Sequence, residues 1–266
     1  MYYHHPTLLR EAQGNAAIDF EQRQKLWSGR VLRIPTLVNQ SWRELAWDRE
    51  HIAYEYIDEQ GLLVSDYGLQ ELIYDHYHTK DLYILDNHNH AFAMRWRSCL
   101  SWKIARWSQL IHIDQHSDLR SPGQSLHARS EISLSQIEGL FAGSDDDTSD
   151  LLWQIDRYTN EVLTIADFIK PAQEIWLIHD YEMLLTEYGL LHYDIWWALA
   201  HWSKDIILDI DLDFRAPEMS IAQYDQTIQQ VRKLILHPHI KVITIATSPT
   251  YIAQTKVTWL LEDLLW

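Results

Sequence analysis

The stretch Ile111–Arg120, IHIDQHSDLR, decides how the rest of the chain is read. Leu110, Ile111 and Ile113 form the aliphatic lead-in of a buried strand, and Asp114, His116 and Asp118 follow at every second position. In extended backbone that spacing turns all three side chains to one side. Two carboxylates and an imidazole converging where a strand leaves its sheet are costly to hold together unless a cation neutralises them. The stretch therefore predicts a metal site at a strand end.

Working outward, apolar runs of strand length recur at Leu82–Leu85, Ile175–Ile178, Ile206–Leu212 and Ile240–Ile245. Helical periodicity lies between and after them, at Ala91–Trp107, Leu151–Arg157, Ser220–Leu236 and Tyr251–Trp266. Alternation of this kind predicts an α/β fold with a mostly parallel sheet covered by helices on both faces, a three-layer α/β/α arrangement. Before Asp81 the pattern is weak, with a polar helical stretch at Glu11–Trp27 and short extended runs at Val31–Ile34 and Leu62–Ser65. The expectation is one domain over residues 1–266, with 1–80 as an N-terminal extension or edge layer and 81–266 as the core around the metal site. Ser144–Asp150 reads as an acidic surface loop, and the histidines of the first eighty residues read as surface or satisfied groups.

In a parallel sheet, ligands sit at the carboxyl ends of the strands. That rule collects His88/His90, Asp114/His116/Asp118, Asp180/Glu182 and Asp209/Asp211/Asp213 at one edge. The run DIILDIDLDF, Asp205–Phe214, is the second telling one, because three aspartates alternating with Ile210 and Leu212 on a buried strand demand counter-charge. Carboxylates with imidazole and no thiolate suit Mn²⁺ or Mg²⁺ before Fe²⁺ or Zn²⁺. So many acids exceed what one ion needs, and two ions about 3.5–4 Å apart sharing carboxylates would make a hydrolytic site.

Composition narrows the partners. Across 266 residues the net charge is −16, which disfavours nucleic acid and favours a cationic substrate. Cys99 is the single cysteine, so no intrachain disulfide forms, and a reducing compartment is expected. The opening MYYHHPTLLR lacks the pattern of a signal peptide, and no apolar run approaches bilayer length. The reading is a cytoplasmic protein without a membrane partner, whether monomer or homo-oligomer.

These motifs together resemble the arginase (ureohydrolase) superfamily. The D-x-H-x-D after a buried strand, the later D-x-D, a histidine at an earlier strand-to-helix elbow and the late Ser248-Pro249 carry the likeness, over about Tyr83 to Pro249. The elbow Asp86-Asn87-His88-Asn89-His90 and the IDLDF run bring it nearest to the peptide arginases, which convert arginine residues of ribosomally made precursor peptides to ornithine and release urea. The resemblance implies an arginase/deacetylase-like fold, two Mn²⁺ and an arginine-containing precursor peptide as partner. It makes His90 the histidine on the first manganese, with His88 as rival. Asp114 becomes a bridging carboxylate and nucleophile-activating group, His116 a ligand of the second ion and Asp118 a ligand of the first. Asp211 becomes the other bridge and Asp213 its partner on the second ion, which leaves Asp209 behind the ligands; a two-residue shift would promote Asp209 instead. In Leu126-His127 the imidazole matches the family's proton shuttle, and Asp180 with Glu182 matches its acidic pair at the substrate's amino end. The family's Gly-Gly-Asp-His-Ser is missing, and Ala246 stands where arginases carry the guanidinium-binding glutamate, which leaves Glu182 or Glu218 to meet the guanidinium. Two other readings share these residues: an agmatinase-like or deacetylase-like hydrolase of small molecules, and a non-catalytic metal-binding module.

Overall fold

A computed structural model describes residues 2–9, 31–58, 60–101, 103–105, 107–122, 148–164, 168–175, 177–185, 199–202, 205–214 and 219–266. The expected helix at Glu11–Trp27, most of the Ser144–Asp150 loop, His127 and Glu218 lie outside them.

The chain is α/β with two sheets. The first six strands are β1 (Thr7–Leu9), β2 (Leu32–Ile34), β3 (Leu37–Asn39), β4 (Trp47–Ile57), β5 (Leu63–Leu69) and β6 (Leu72–Tyr77). They are followed by β7 (Lys80–Leu85), helix α1 (His90–Leu100), β8 (Ser108–Asp114), α2 (Thr148–Glu161), α3 (Ile169–Glu174) and β9 (Ile178–Leu185). The last described part holds β10 (Ile206–Asp211), α4 (Ile221–Leu236), β11 (Ile240–Ala246) and α5 (Gln254–Leu265). The larger sheet runs β3-β6-β7-β11-β10-β8-β9. Every neighbouring pair in it is parallel except β6 with β7, so the mostly parallel sheet expected from the alternation is present.

The reason lies in the apolar runs. β7, β8 and β10 are buried at every position, so neither face can be polar, and each needs cover on both sides. α1 packs against β7 and β11, while α4 packs on β11 and beside α5. α4 opens with a capping box in which Ser220 and Gln223 satisfy each other's backbone, and it buries Thr227, Ile228, Val231, Leu234 and Ile235 on one helical stripe. No helix among the described residues is long and apolar enough to cross a membrane.

Register fixes the site. Asp211 pairs with Ala246, Ala246 with Leu85, and Ile210 with Ile113. The carboxyl ends of β7, β11, β10 and β8 therefore form one continuous rim, where the motifs of the sequence emerge.

Three boundaries differ from the sequence reading. The first helix stops at Leu100, not Trp107, with Trp107 itself in the left-handed region at φ 68°. The strand expected at Ile175–Ile178 is instead β9, Ile178–Leu185; Ile175 caps α3, and the run HDYEM, exposed or part-exposed at every position, marks an edge strand rather than a buried one. The run Ile206–Leu212 ends as a strand at Asp211 and turns into a 3₁₀ segment at Leu212–Phe214, which moves Asp213 off the strand.

The first eighty residues are more structured than their weak pattern suggested. They build a four-stranded sheet ordered β1-β2-β4-β5 and also add β3 and β6 to the larger one. The small sheet rests on the elbow after β7: the Asn87 side-chain amide donates to the Ala53 carbonyl at 3.0 Å, and Gly68 lies directly against Asp86. A Cβ at Gly68 would meet the Asp86 carboxylate and stand 2.6 Å from the Ala53 Cβ. Gly68→Ala is expected to lower stability by about 1–3 kcal/mol through overpacking, read as an earlier urea midpoint with an unchanged slope.

Candidate metal centre

Four segments meet at the rim: the elbow after β7, the turn after β8, the end of β10 with its 3₁₀ turn, and the loop after β11. His88, fully buried, comes from the elbow. Its Nδ1 lies 3.4 Å from Asp114 Oδ2, 3.0 Å from Asp118 Oδ2 and 3.1 Å from Asp211 Oδ2, three carboxylates from two separate chain segments. Its Nε2 is hydrogen-bonded at 2.9 Å to Asp209 Oδ2.

On the other side of Asp114 stands His116. Its Nδ1 is 3.5 Å from Asp114 Oδ1 and 3.1 Å from Asp213 Oδ2. Asp114 thus belongs to both groups, one oxygen toward each. Asp211 lies between them too, because its Oδ1 accepts from the Asp213 backbone N–H at 3.0 Å while its Oδ2 takes a 2.6 Å hydrogen bond from the Ser248 hydroxyl. The late Ser-Pro is therefore the clamp on Asp211.

Backbone shape separates the motif's members. The chain leaves β8 at Asp114 and Asp118 takes φ 47°, so the D-x-H-x-D does not stay extended as its spacing suggested. Asp118 returns to His88, whereas His116 faces Asp213 and the Tyr251 ring 5.5 Å away. An Asp accepts this left-handed backbone with less penalty than most residues.

Behind the rim lies a second, wholly buried layer. Asp209 accepts from His88 at 2.9 Å, from His112 Nδ1 at 2.8 Å and from the Thr244 hydroxyl, and it forms an ion pair with Arg95 at 2.9 Å. Arg95 lies over the Phe168 ring at 4.8 Å. Asp209 therefore orients His88 from behind, while Asp211 stands at the end of β10 with Oδ2 3.1 Å from His88 Nδ1.

His90 is placed elsewhere. Its Nδ1 pairs with the Tyr3 hydroxyl at 2.7 Å and its Nε2 with Asp86 at 3.1 Å, in a knot that Asn160 completes by donating to Tyr3 at 3.1 Å. The preference for His90 over His88 is corrected: Asn89 and His90 begin α1, and the helix turns His90 away from the rim. Asp180 and Glu182 are corrected as well. They sit within β9, where Glu182 pairs with Ile111, three residues (about 10 Å) back from the rim that Asp114 marks. His179 and Asp180 pair at 3.5 Å in an exposed position.

The motifs read from sequence do not point to His112 or Arg95 as members of this assembly, and they mark Ser248 only as part of the late Ser-Pro, without its hydrogen bond to Asp211. A signal was present for the first, since H-x-D-x-H-x-D starts at His112, one step earlier than the motif that was read. Arg95 carried no local signal inside a helix that is buried on nearly every side.

The buried atoms test whether metal ions fit. His88 Nδ1, Asp118 Oδ2 and Asp213 Oδ2 are all sealed from solvent and lack any hydrogen-bond partner, although oppositely charged atoms lie within 3.5 Å. Buried polar atoms without hydrogen bonds, clustered among carboxylates and imidazoles, are compatible with a small cation between the groups. Among the described residues, two sets could converge on an ion: His88 with His112 and Asp114, and Asp114 with His116 and Asp213. Metals fit these residues.

Without ions, protons carry the neutralising charge. Burial opposes it, but Asp209, Asp114 and Asp118 hold the His88 pKa well above the imidazole range. Burial likewise works against His112, which Asp114 and Asp209 push up to about 10. Asp114 and Asp213 push His116 up to about 11, and burial with the Asp114 charge lifts Asp118 to about 7. Tyr251, beside them, is raised to about 12 by burial and by Asp213, Asp211 and Asp118.

No protein-family model matches this chain, and no curated protein matches it.

Raised imidazole pKa values mean that these rings bind protons at neutral pH in the ion-free protein, so a metal must displace them. Mn²⁺ uptake is expected to release protons and to be tighter at about pH 8 than at about pH 6, as titration calorimetry in buffers of different ionisation enthalpy will show.

Proposed function

We propose that this chain is a dinuclear manganese hydrolase with the three-layer α/β/α architecture of the arginase/deacetylase type, a peptide arginase that converts arginine side chains of a ribosomally made precursor peptide to ornithine and urea. The observation that supports it most is the sharing of Asp114 between two histidine-containing groups, His88 with Asp118 and Asp211 on one side and His116 with Asp213 on the other. A carboxylate shared in this way would hold two ions at neighbouring positions. The assignment also balances charge: Asp114, Asp118, Asp209, Asp211 and Asp213 are all buried, and two divalent ions plus Arg95 supply the matching positive charge.

Divalent ions in these positions would supply Lewis acidity, making water nucleophilic at neutral pH and stabilising charge that develops at the reacting carbon. The chain's own residues do the rest. Asp114 and Asp211 fix the spacing, Ser248 holds Asp211, and Asp209 holds the His88 ring. His116, with 47% of its side chain exposed beside Tyr251, marks the side open to substrate. Water adds to the guanidinium carbon, the bond from that carbon to the ornithine nitrogen breaks, and the departing amine takes a proton, for which His127 is the proposed donor. An acidic protein attracts a cationic guanidinium, in keeping with the net charge of −16. Asp180 and Glu182 have no part in this proposal, because β9 carries them back from the rim.

Co-expression with an arginine-containing peptide is the test. Mass spectrometry should show loss of one CN₂H₂ unit per converted residue, with urea formed from the peptide and not from free arginine or agmatine. Release of urea from the small molecules instead would favour an agmatinase-like enzyme. Asp114→Ala, which removes the carboxylate common to both ions, is expected to abolish conversion; peptide turnover at the parent rate would sink the assignment.

A further inference from the structure

The two histidines around Asp209 are placed as a matched pair. Asp209 Oδ2 accepts from His88 Nε2 at 2.9 Å and from His112 Nδ1 at 2.8 Å. The rings lie 24° from parallel with centroids 5.4 Å apart, and the Phe168 ring touches both. The far nitrogen of each, His88 Nδ1 and His112 Nε2, is buried and has no hydrogen-bond partner. Both far nitrogens face the same atom, Asp114 Oδ2, at 3.4 Å and 3.3 Å.

Donation of each near N–H to Asp209 leaves a lone pair on each far nitrogen, aimed at a carboxylate oxygen. Three electron-rich atoms in a water-free space repel unless positive charge sits among them. Ligand atoms of His88, His112 and Asp114 all lie within 4.8 Å of one another, a span that one ion can close. We propose that His112 is a further ligand of the first metal ion, bound through Nε2, so that this ion is held by two imidazoles together with Asp114, Asp118 and Asp211. The inference rests on the dinuclear reading above and adds a ligand to it.

Two consequences follow from the chemistry. Asp209 becomes the common support of two ligands, since one oxygen fixes the tautomer of both rings. A second imidazole also turns the first site toward nitrogen-loving ions, so Fe²⁺, Co²⁺ and Zn²⁺ gain there relative to Mg²⁺, while the second site, with His116 as its single imidazole, keeps the harder preference.

Cobalt(II) reports the ligands directly. In the Co²⁺-loaded full chain, each imidazole bound to the ion gives a strongly shifted proton resonance from its remaining N–H, which disappears in D₂O. The N–H groups of His88 and His112 are buried against Asp209 and exchange slowly, whereas the half-exposed His116 broadens by exchange. Two sharp exchangeable resonances are expected, and a single one would overturn the proposal while leaving the dinuclear reading intact. His112→Gln should remove one of the two and weaken Co²⁺ binding roughly tenfold to a hundredfold. An unchanged spectrum and affinity in that variant would also overturn it, and the count in the unmodified protein decides the matter if the variant does not fold. Failure of the unmodified protein to take up Co²⁺ or Mn²⁺ at all would remove the dinuclear reading and this inference together.

Discussion

Mutual repulsion among five buried aspartates is the constraint on which the rest of this structure depends. Asp114, Asp118, Asp209, Asp211 and Asp213 are each no more than 6% exposed, gathered where four elements end together. Carboxylates sealed from water at such separations cannot all ionise without compensating cations. Arg95 answers one of them from within the fold, through its ion pair with Asp209. The remaining four have no such partner within the pair of Arg95 and Asp209, and His88 Nδ1, Asp118 Oδ2 and Asp213 Oδ2 lie buried among them without hydrogen bonds. Parallel strands are what make the gathering feasible, because β7, β11, β10 and β8 finish in register at one rim.

Much of this was legible in the residues themselves. Continuous apolar runs such as Leu82–Leu85 and Ile206–Leu208 announced strands buried on both faces, and Asp114, His116, Asp118, Asp211 and Asp213 lie at the rim where those strands end. Of Asp209 and Asp211, only the later one reaches the end of β10. What stayed hidden depended on geometry that spacing does not encode. His88 and His90 are two residues apart at a strand-to-helix elbow, and only the onset of α1 decides which ring faces the rim. Asp180 and Glu182 looked as if they followed a strand because an edge strand with a half-exposed pattern lacks the apolar run that marks buried ones. Arg95 is one of several polar residues of α1, and its burial against Asp209 exists only after the helix docks.

The N-terminal region was the largest gap. Its strands are short or polar in sequence, with β4 interrupted by register shifts near Ile52, so no clean alternation survives. Yet they shape the elbow that carries His88. Ala53 on β4 takes the Asn87 amide, and Gly68 on β5 allows Asp86 to approach. The small sheet is thus the wall against which the first histidine is set, although it supplies no coordinating atom among the described residues.

The knot of Tyr3, His90, Asp86 and Asn160 gives this wall a further meaning. It joins residues 87 and 157 positions apart in the chain, and neither end of it touches the ligand cage. Contacts this distant carry a loop-closure cost in chain entropy that local ones do not. The elbow therefore acquires its final shape only when remote parts of the polypeptide have come together, held by phenol, imidazole and amide rather than by an ion. The shape of the elbow is thus set by the chain's own polar contacts, and a wall built far away in sequence decides where His88 stands.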